Sequence, residues 1–451
     1  MQNIEEISIH QIQKMLSNKE VSIKELVREY LMRIALYDQG FEKLNSILEI
    51  NPDALSIAAE LDTNRSEYTS KLYGLPVLLK DNMDTLDCMH TSAGSLALGK
   101  SIASSDARIV EVLRKKGVVI LGKTNMTEFG DHMTKGMKPG YSSRGGIVKS
   151  PYNKNNNPGG SSTGSAVAVS ANLCAASFGT DTSGSIMSPA VKNGIVGFRP
   201  SAGLLSQKGI IPVSFTLDTA GPMTRSVMDS AILFSELINL HIEINNSNIK
   251  ETVIGIDQIT LNNLTGEEEK KADVIIKALK KSGAILKLIE IPKKPKKNLK
   301  DIQLYEFKYA LNRYLSQLPN TFPIHSLKDI IEFNNLNPEK TLKYGQTILV
   351  DAEEKTKGNL SEPDYRLLLE DRKKTKNEIN HKLKEVDICI MFQENLILQY
   401  IGLPIISIPH DTYIDGMPYG VYLTSLNDTV LLKKAYSIEQ IIGYRVAPAL
   451  S

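Results

Sequence analysis

Apolar residues recur along this chain with two periods, and the switching between them outlines the fold. Over residues 8–16, and again after Ser22, they return every three to four positions. Leu26, Tyr30, Leu31, Ile34 and Leu36 form one such stripe, the mark of a helix with one buried face. Glu25 stands three positions after Ser22 and completes a capping box. Residues 53–61 and 105–116 predict two more helices, the second closed by Gly117. Residues 75–79 and 118–121 are unbroken apolar runs, as in strands covered on both faces. Further along, 253–256 and 284–291 read as strands around a helix that opens at Thr265, with Glu268 as its capping partner, and ends near Lys281. Residues 301–316 and 364–383 are helical, the latter announced by Pro363. Strands at 388–391 and 404–409 and a last helix at 428–442 complete the pattern. Strand and helix in alternation predict an α/β fold. Its centre is a large mixed, mostly parallel sheet with helices on both faces, and the 451 residues read as a single domain, 1–451. Residues 1–70 are expected to add helical decoration packed on that core.

Against this regular background the stretch 158–200 stands out. A small-residue turn, 159–164, leads into an apolar run of mostly small side chains, 166–176. A second small-residue turn, 179–185, leads into another helix-like segment that ends at Asn193-Gly194. Each turn puts a serine where a helix would begin. Helix N-termini carry free N–H groups and partial positive charge, which suit a developing oxyanion. Three readings of these serines compete. One is ordinary N-capping. A second is a nucleophile elbow, since Gly160-Ser161-Ser162-Thr163-Gly164 fits G-x-S-x-G; that motif needs a strand before it, and residues 150–158 read as a loop. The third has both turns converging on one lysine. Lys80, at the end of the apolar run 75–79 and followed by Asp81-Asn82, is a candidate, because a desolvated lysine can lose its proton near neutrality and act as a base.

Composition narrows the classes. Net charge is +2, with none of the basic excess of a nucleic-acid binder. The three cysteines, Cys88, Cys174 and Cys389, are widely spaced, so neither a zinc site nor a disulfide framework is expected. The N-terminus lacks the pattern of a signal peptide, and no apolar run is long enough for a membrane span. A cytoplasmic location is expected. No histidine falls in a nucleophile motif, which argues against a Ser-His-Asp enzyme.

Lys80 with Asp81-Asn82, the run Gly160-Ser161-Ser162-x-Gly164-Ser165, and Gly179-Thr180-Asp181-Thr182-x-Gly184-Ser185-Ile186 together resemble the amidase signature family of Ser-Ser-Lys hydrolases. Ser161 and Ser185 keep the spacing of that family's two serines. The resemblance runs from the N-terminal helices to the C-terminus. The loop 140–146, the segment 306–312 and Tyr344-Gly345-Gln346 are similar to the family's peptide amidase branch.

The resemblance implies hydrolysis of a carboxylic amide, including a C-terminal peptide amide, to acid and ammonia through an acyl-serine. It implies Ser185 as nucleophile and Ser161, in a cis peptide bond with Gly160, as the bridge to Lys80. The oxyanion hole would be the N–H groups of Thr182, Ser183, Gly184 and Ser185. Met126, Gly160 and Met187 would line the substrate pocket. No metal or cofactor is implied; the partner is a small-molecule or peptide amide, not nucleic acid or membrane, and the chain would be a monomer or homodimer. Lys123 is read as solvated or structural, Asp218 as a structural hydrogen-bonder, and the basic run 293–297 as a surface loop. Two departures stand out. Met187 replaces the arginine that many relatives have, which points to neutral rather than charged substrates, and the segment 392–401 is short. Two alternatives remain: an A-type subunit of glutamyl-tRNA amidotransferase, and a catalytically silent binding protein on the same fold.

Overall fold

Parallel pairing builds both ends of one eleven-stranded sheet, and antiparallel pairing joins them. The computed structural model describes residues 4–40, 42–64, 69–244, 249–293, 299–413, 415–443 and 445–450. The strands are β1 (Ile47–Ile50), β2 (Pro76–Lys80), β3 (Val119–Thr124), β4 (Tyr141–Ser142), β5 (Gly146–Ile147), β6 (Ala176–Asp181), β7 (Val196–Arg199), β8 (Thr219–Thr224), β9 (Val253–Asp257), β10 (Ile285–Ile289), β11 (Ile388–Met391), β12 (Ile405–Thr412) and β13 (Pro418–Thr424). The large sheet has the order β1-β3-β2-β6-β8-β7-β12-β13-β11-β9-β10, and β4-β5 is a separate hairpin. β3-β2-β6 and β11-β9-β10 are parallel blocks. The strands between them, and β1 at the edge, pair antiparallel. The expected mixed α/β sheet is present, with its parallel share confined to those two blocks.

β2, β3, β6, β7, β8 and β13 are buried at every position, so helices and loops cover both faces of the sheet centre. The N-terminal helices form where the pattern placed them. Ile9–Ser17 and Ile23–Arg33 each open on a capping box, Ser8 with Gln11 and Ser22 with Glu25. The first 70 residues are not wholly helical, however: β1 extends the sheet. At Thr265 the expected box does not form. The helix Glu267–Lys281 starts from Gly266, at φ 58°, without a side-chain cap.

Helix Thr163–Ser170 is buried along its whole length. Its small side chains allow this close approach. A Cβ on Gly164 would sit 2.3 Å from Ser46 O and 2.4 Å from Asn125 O, closer than any side chain tolerates. The chain then turns at Asn172 and returns as β6. The second small-residue turn therefore begins later than its composition suggested, since residues 179–181 finish a strand. Helices Leu299–Leu315, Leu327–Leu336 and Thr347–Lys355 pack with Phe129, Met126 and Tyr141 in a separate apolar cluster, which roofs the carboxyl ends of β2 and β6. Pro363 opens the helix Pro363–Leu383 as expected. Among the described residues no helix is long and apolar enough to cross a membrane. Of the basic run at 293–297, only Lys293 lies within the described residues.

Candidate active site

Lys80 ends β2, and its neighbours in the sheet are β3 and β6. Both faces of β2 are covered, so its side chain has no route to water and is fully buried. Its ammonium nitrogen lies 2.8 Å from Ser161 Oγ, 2.9 Å from Ser162 Oγ and 2.9 Å from Thr180 Oγ1, with Thr180 O at 3.3 Å. Burial pulls the Lys80 pKa down to about 7, while the charges of Asp181 and Asp218 oppose the fall. A neutral amine donates two hydrogen bonds and accepts one, so a ring of hydroxyls satisfies it without any carboxylate in contact.

The serine turns meet at this lysine. The Gly160–Ser161 peptide bond is cis, as the resemblance implied. Ser162 precedes the helix Thr163–Ser170 yet makes no side-chain cap bond. Its hydroxyl donates instead to Thr180 O at 3.0 Å. Ser185 is not a cap either, because Ile186 precedes the helix Met187–Lys192. The N-capping reading therefore fails for both turns. The turns are joined through the backbone, Ser162 N donating to Ser185 O at 3.0 Å. Ser185 Oγ makes no hydrogen bond to Ser161 among the described residues, so the lysine and first serine are in contact while the second serine stands beside them.

The turn that carries Ser185 is held by a residue to which the sequence reading gave no role. The Asp181 carboxylate accepts from Gly184 N at 3.0 Å, Ile186 N at 2.7 Å and Met187 N at 3.4 Å. Arg199, fully buried like Asp181, binds it at 3.1 Å and is itself tied to Leu403 O and Leu217 O. The Gly184 N–H, expected in the oxyanion hole, is thus turned to Asp181. Asp181 was legible in Thr180-Asp181-Thr182, but nothing in the sequence tied it to Arg199, eighteen positions on.

The structure also places Lys123, Asp218 and Met187. Lys123 is not solvated: it is fully buried, with Nζ donating to Met83 O at 2.6 Å and Thr91 Oγ1 at 3.0 Å, so its structural reading stands. Asp218 accepts from Thr182 Oγ1 at 2.6 Å and from Val213 N and Ser214 N at 2.9 Å, as a structural hydrogen-bonder should. Met187 is fully buried in the main apolar core and does not line the cleft. It sits on the inner side of a short helix whose next residue, Ser188, faces the open side.

Two cavities meet at Gly160 and Ser183. One, of about 380 Å³, contains Ser185 and is walled by Gly130, His132, Gln303, Phe307 and Ile348. The other, of about 400 Å³, is walled by Gly159, Gly184, Ser188, Lys192, Lys293 and Glu394. Met126 lines a smaller space beside Ser161. Gln303 Nε2 donates to Ser183 Oγ at 3.2 Å, so the helical roof reaches the turn that carries Ser185 directly. Glu394, in the short segment after β11, closes against the other side of that turn: a Cβ on Gly184 would lie 2.0 Å from its Oε1. Burial, reinforced by Asp181 and opposed by Lys192, pushes the Glu394 carboxyl up to about 8. No sequence signal marked Gln303 or Glu394. Among the described residues no group of three or more His, Cys, Asp and Glu is arranged to hold a metal.

The chain resembles known proteins over nearly its whole length. The family model described as Amidase matches residues 25–392. A probable amidase of Arabidopsis thaliana is 34% identical, over 99% of this chain and 92% of its own length. The crystal structure of an amidase family protein from Bacillus anthracis superposes with a TM-score of 0.92 at 34% identity, covering 99% of this chain and 93% of that one. The native peptide amidase from Stenotrophomonas maltophilia superposes with a TM-score of 0.88 at 32% identity, covering 99% of both chains. The chain belongs to the amidase family and is an amide-hydrolysing enzyme.

Proposed function

We propose that the chain cleaves carboxylic amides through an acyl-enzyme on Ser185, with Lys80 as base and Ser161 as the relay between them. The observation that carries this is the buried Lys80 amine, 2.8 Å from Ser161 Oγ and with no carboxylate in contact. In the reaction Ser161 Oγ passes its proton to neutral Lys80 and takes the proton of Ser185. Ser185 Oγ attacks the amide carbon, and the oxyanion is met by the N–H groups of Thr182, Ser183 and Ser185. The relay then runs backwards and protonates the leaving amine. Water completes the cycle by the same route. The Ser161–Ser185 contact is expected to close when substrate enters, as catalytic hydrogen bonds often tighten only in the complex.

C-terminal peptide amides are the substrate class we favour. Similarity to the peptide amidase supports this, as does a cleft with two arms of about 380 and 400 Å³, more than free ammonia-donating glutamine would fill. Met187 has no part in this preference, since its side chain is in the core. Three free cysteines, two of them buried, suit a reducing cytoplasm. Ammonia release from an N-acylated dipeptide amide, measured beside free glutamine, tests the reading. A preference for the peptide amide is expected; a clear preference for glutamine would favour the amidotransferase-like alternative.

A further inference from the structure

Behind Lys80 and Ser161 lies a cavity separate from the two arms of the cleft. It measures about 10 Å³, and its polar wall is Ser161, Thr180, Thr182, Asn82, Gln207 and Asp218. That is roughly the room one water needs. Two oxygens on this wall lack partners among the described residues: Asn82 Oδ1 and Gln207 Oε1 are both buried and accept nothing. Their identity as oxygens is fixed by the other end of each amide. Asn82 Nδ2 donates to Thr180 Oγ1 at 3.1 Å and to Ile211 O at 3.4 Å. Gln207 Nε2 donates to Leu205 O at 3.0 Å. Turning either amide over would set oxygen against a carbonyl oxygen. Asp218 supplies no donor, because both its oxygens already accept from Thr182, Val213 and Ser214. The site therefore calls for a molecule of water size that donates at least two hydrogen bonds.

We propose that this cavity binds one such molecule between Asn82 Oδ1 and Gln207 Oε1, and that the molecule is the water that hydrolyses the acyl-enzyme. The role rests on the acyl-serine reading above. Gly130 walls both this cavity and the arm that holds Ser185. On the other side Gln207, Ile210, Pro212 and Asp218 are shared with a surface depression of about 530 Å³. The site thus has solvent on one flank and the reacting group on the other. In deacylation the water oxygen bonds to the acyl carbon, one water proton passes to Ser161 Oγ, and the Ser161 proton passes to Lys80. The adduct collapses with cleavage of the bond to Ser185 Oγ, which recovers a proton through Ser161, and the free acid leaves. Ammonia has the same donor chemistry and is the competing occupant.

Gln207→Leu removes one acceptor without touching Lys80, Ser161 or Ser185. A high-resolution crystal structure should show one molecule bridging the two oxygens in the parent enzyme and none in Gln207→Leu. A parent enzyme with nothing bridging them overturns the site. With an activated ester whose acyl group leaves slowly, Gln207→Leu should keep the initial burst. Its steady-state deacylation should slow roughly tenfold, the kinetic worth of about one hydrogen bond, and the share of acyl group captured by added hydroxylamine should rise. Unchanged deacylation in Gln207→Leu overturns the role. A parent enzyme without any burst sinks the acyl-enzyme reading and the role together, while the bridging density still decides the site. Inhibition by ammonium chloride that Gln207→Leu relieves would assign the site to ammonia and overturn the water assignment.

Discussion

Lys80 and Lys123 lie at the carboxyl ends of adjacent parallel strands, Lys80 last in β2 and Lys123 one before the last in β3, with Leu79 opposite Lys123 and Lys80 opposite Thr124. Both are fully buried, and burial lowers the pKa of both. What they touch separates them. Lys80 faces three hydroxyls, each able to accept a proton from one side and pass one on from the other. Lys123 faces the Met83 carbonyl, which only accepts, and Thr91, with Asp81, Asp84, Asp87 and Glu49 near enough to favour its cation. Burial makes a lysine ready to lose its proton; the neighbours decide whether that proton can go anywhere.

The largest expected effect is on the Lys80 side. Lys80→Ala should lower ammonia release by more than the roughly 10²–10⁴-fold credited to one general base, because the same group also activates the nucleophile. Circular dichroism of the variant should match the parent. Lys123→Met should leave turnover of the folded protein near the parent rate. It should cost about 1–3 kcal/mol in denaturant unfolding, because it leaves the Met83 carbonyl buried without its donor. Lys123→Met as inactive as Lys80→Ala would erase the distinction between the two lysines.

pH sharpens the same comparison. In the proposed mechanism turnover needs neutral Lys80, so kcat should fall as pH drops through about 7. Stability should also rise with pH, in a window set by proton uptake on unfolding. The unfolded Lys80 keeps its proton up to roughly 10.4, whereas the folded one loses it near 7. Between those values unfolding takes up a proton, so this group makes the fold gain stability as pH rises across that window. Lys80→Met should flatten that rise, and thermal unfolding at several pH values would read it. The smallest effect belongs to Met187. As a core residue, Met187→Leu should shift stability by less than about 1.5 kcal/mol and leave the ratio of kcat/KM for a peptide amide over glutamine unchanged. A changed ratio would return Met187 to the substrate site.

Much of the site was legible because its chemistry sits in local runs: Lys80 at the end of an apolar strand, and two serines in small-residue turns. The buried state of Lys123 was not, because one charged residue after an apolar run looks the same whether its strand is central or at an edge. β1 and β7 were missed for a related reason: four residues are too few to show a period. Met187 misled because a side chain two positions from Ser185 in sequence points away from it when a helix begins between them. Asp181, Arg199, Gln303 and Glu394 act through contacts that only the folded chain brings together.

In the proposed mechanism a proton leaves Ser185 for Lys80 through Ser161, and the rate at which a fluorophosphonate labels the enzyme reads that step directly. Peptide mass spectrometry should place the label on Ser185. The labelling rate of the parent enzyme should rise with pH through about 7, where Lys80 becomes neutral. In Ser161→Ala it should be far slower, and in Lys80→Ala it should be both slower and free of that rise. A label on Ser161 or Ser162, or a Lys80→Ala variant that keeps the parent rate and pH profile, would contradict it.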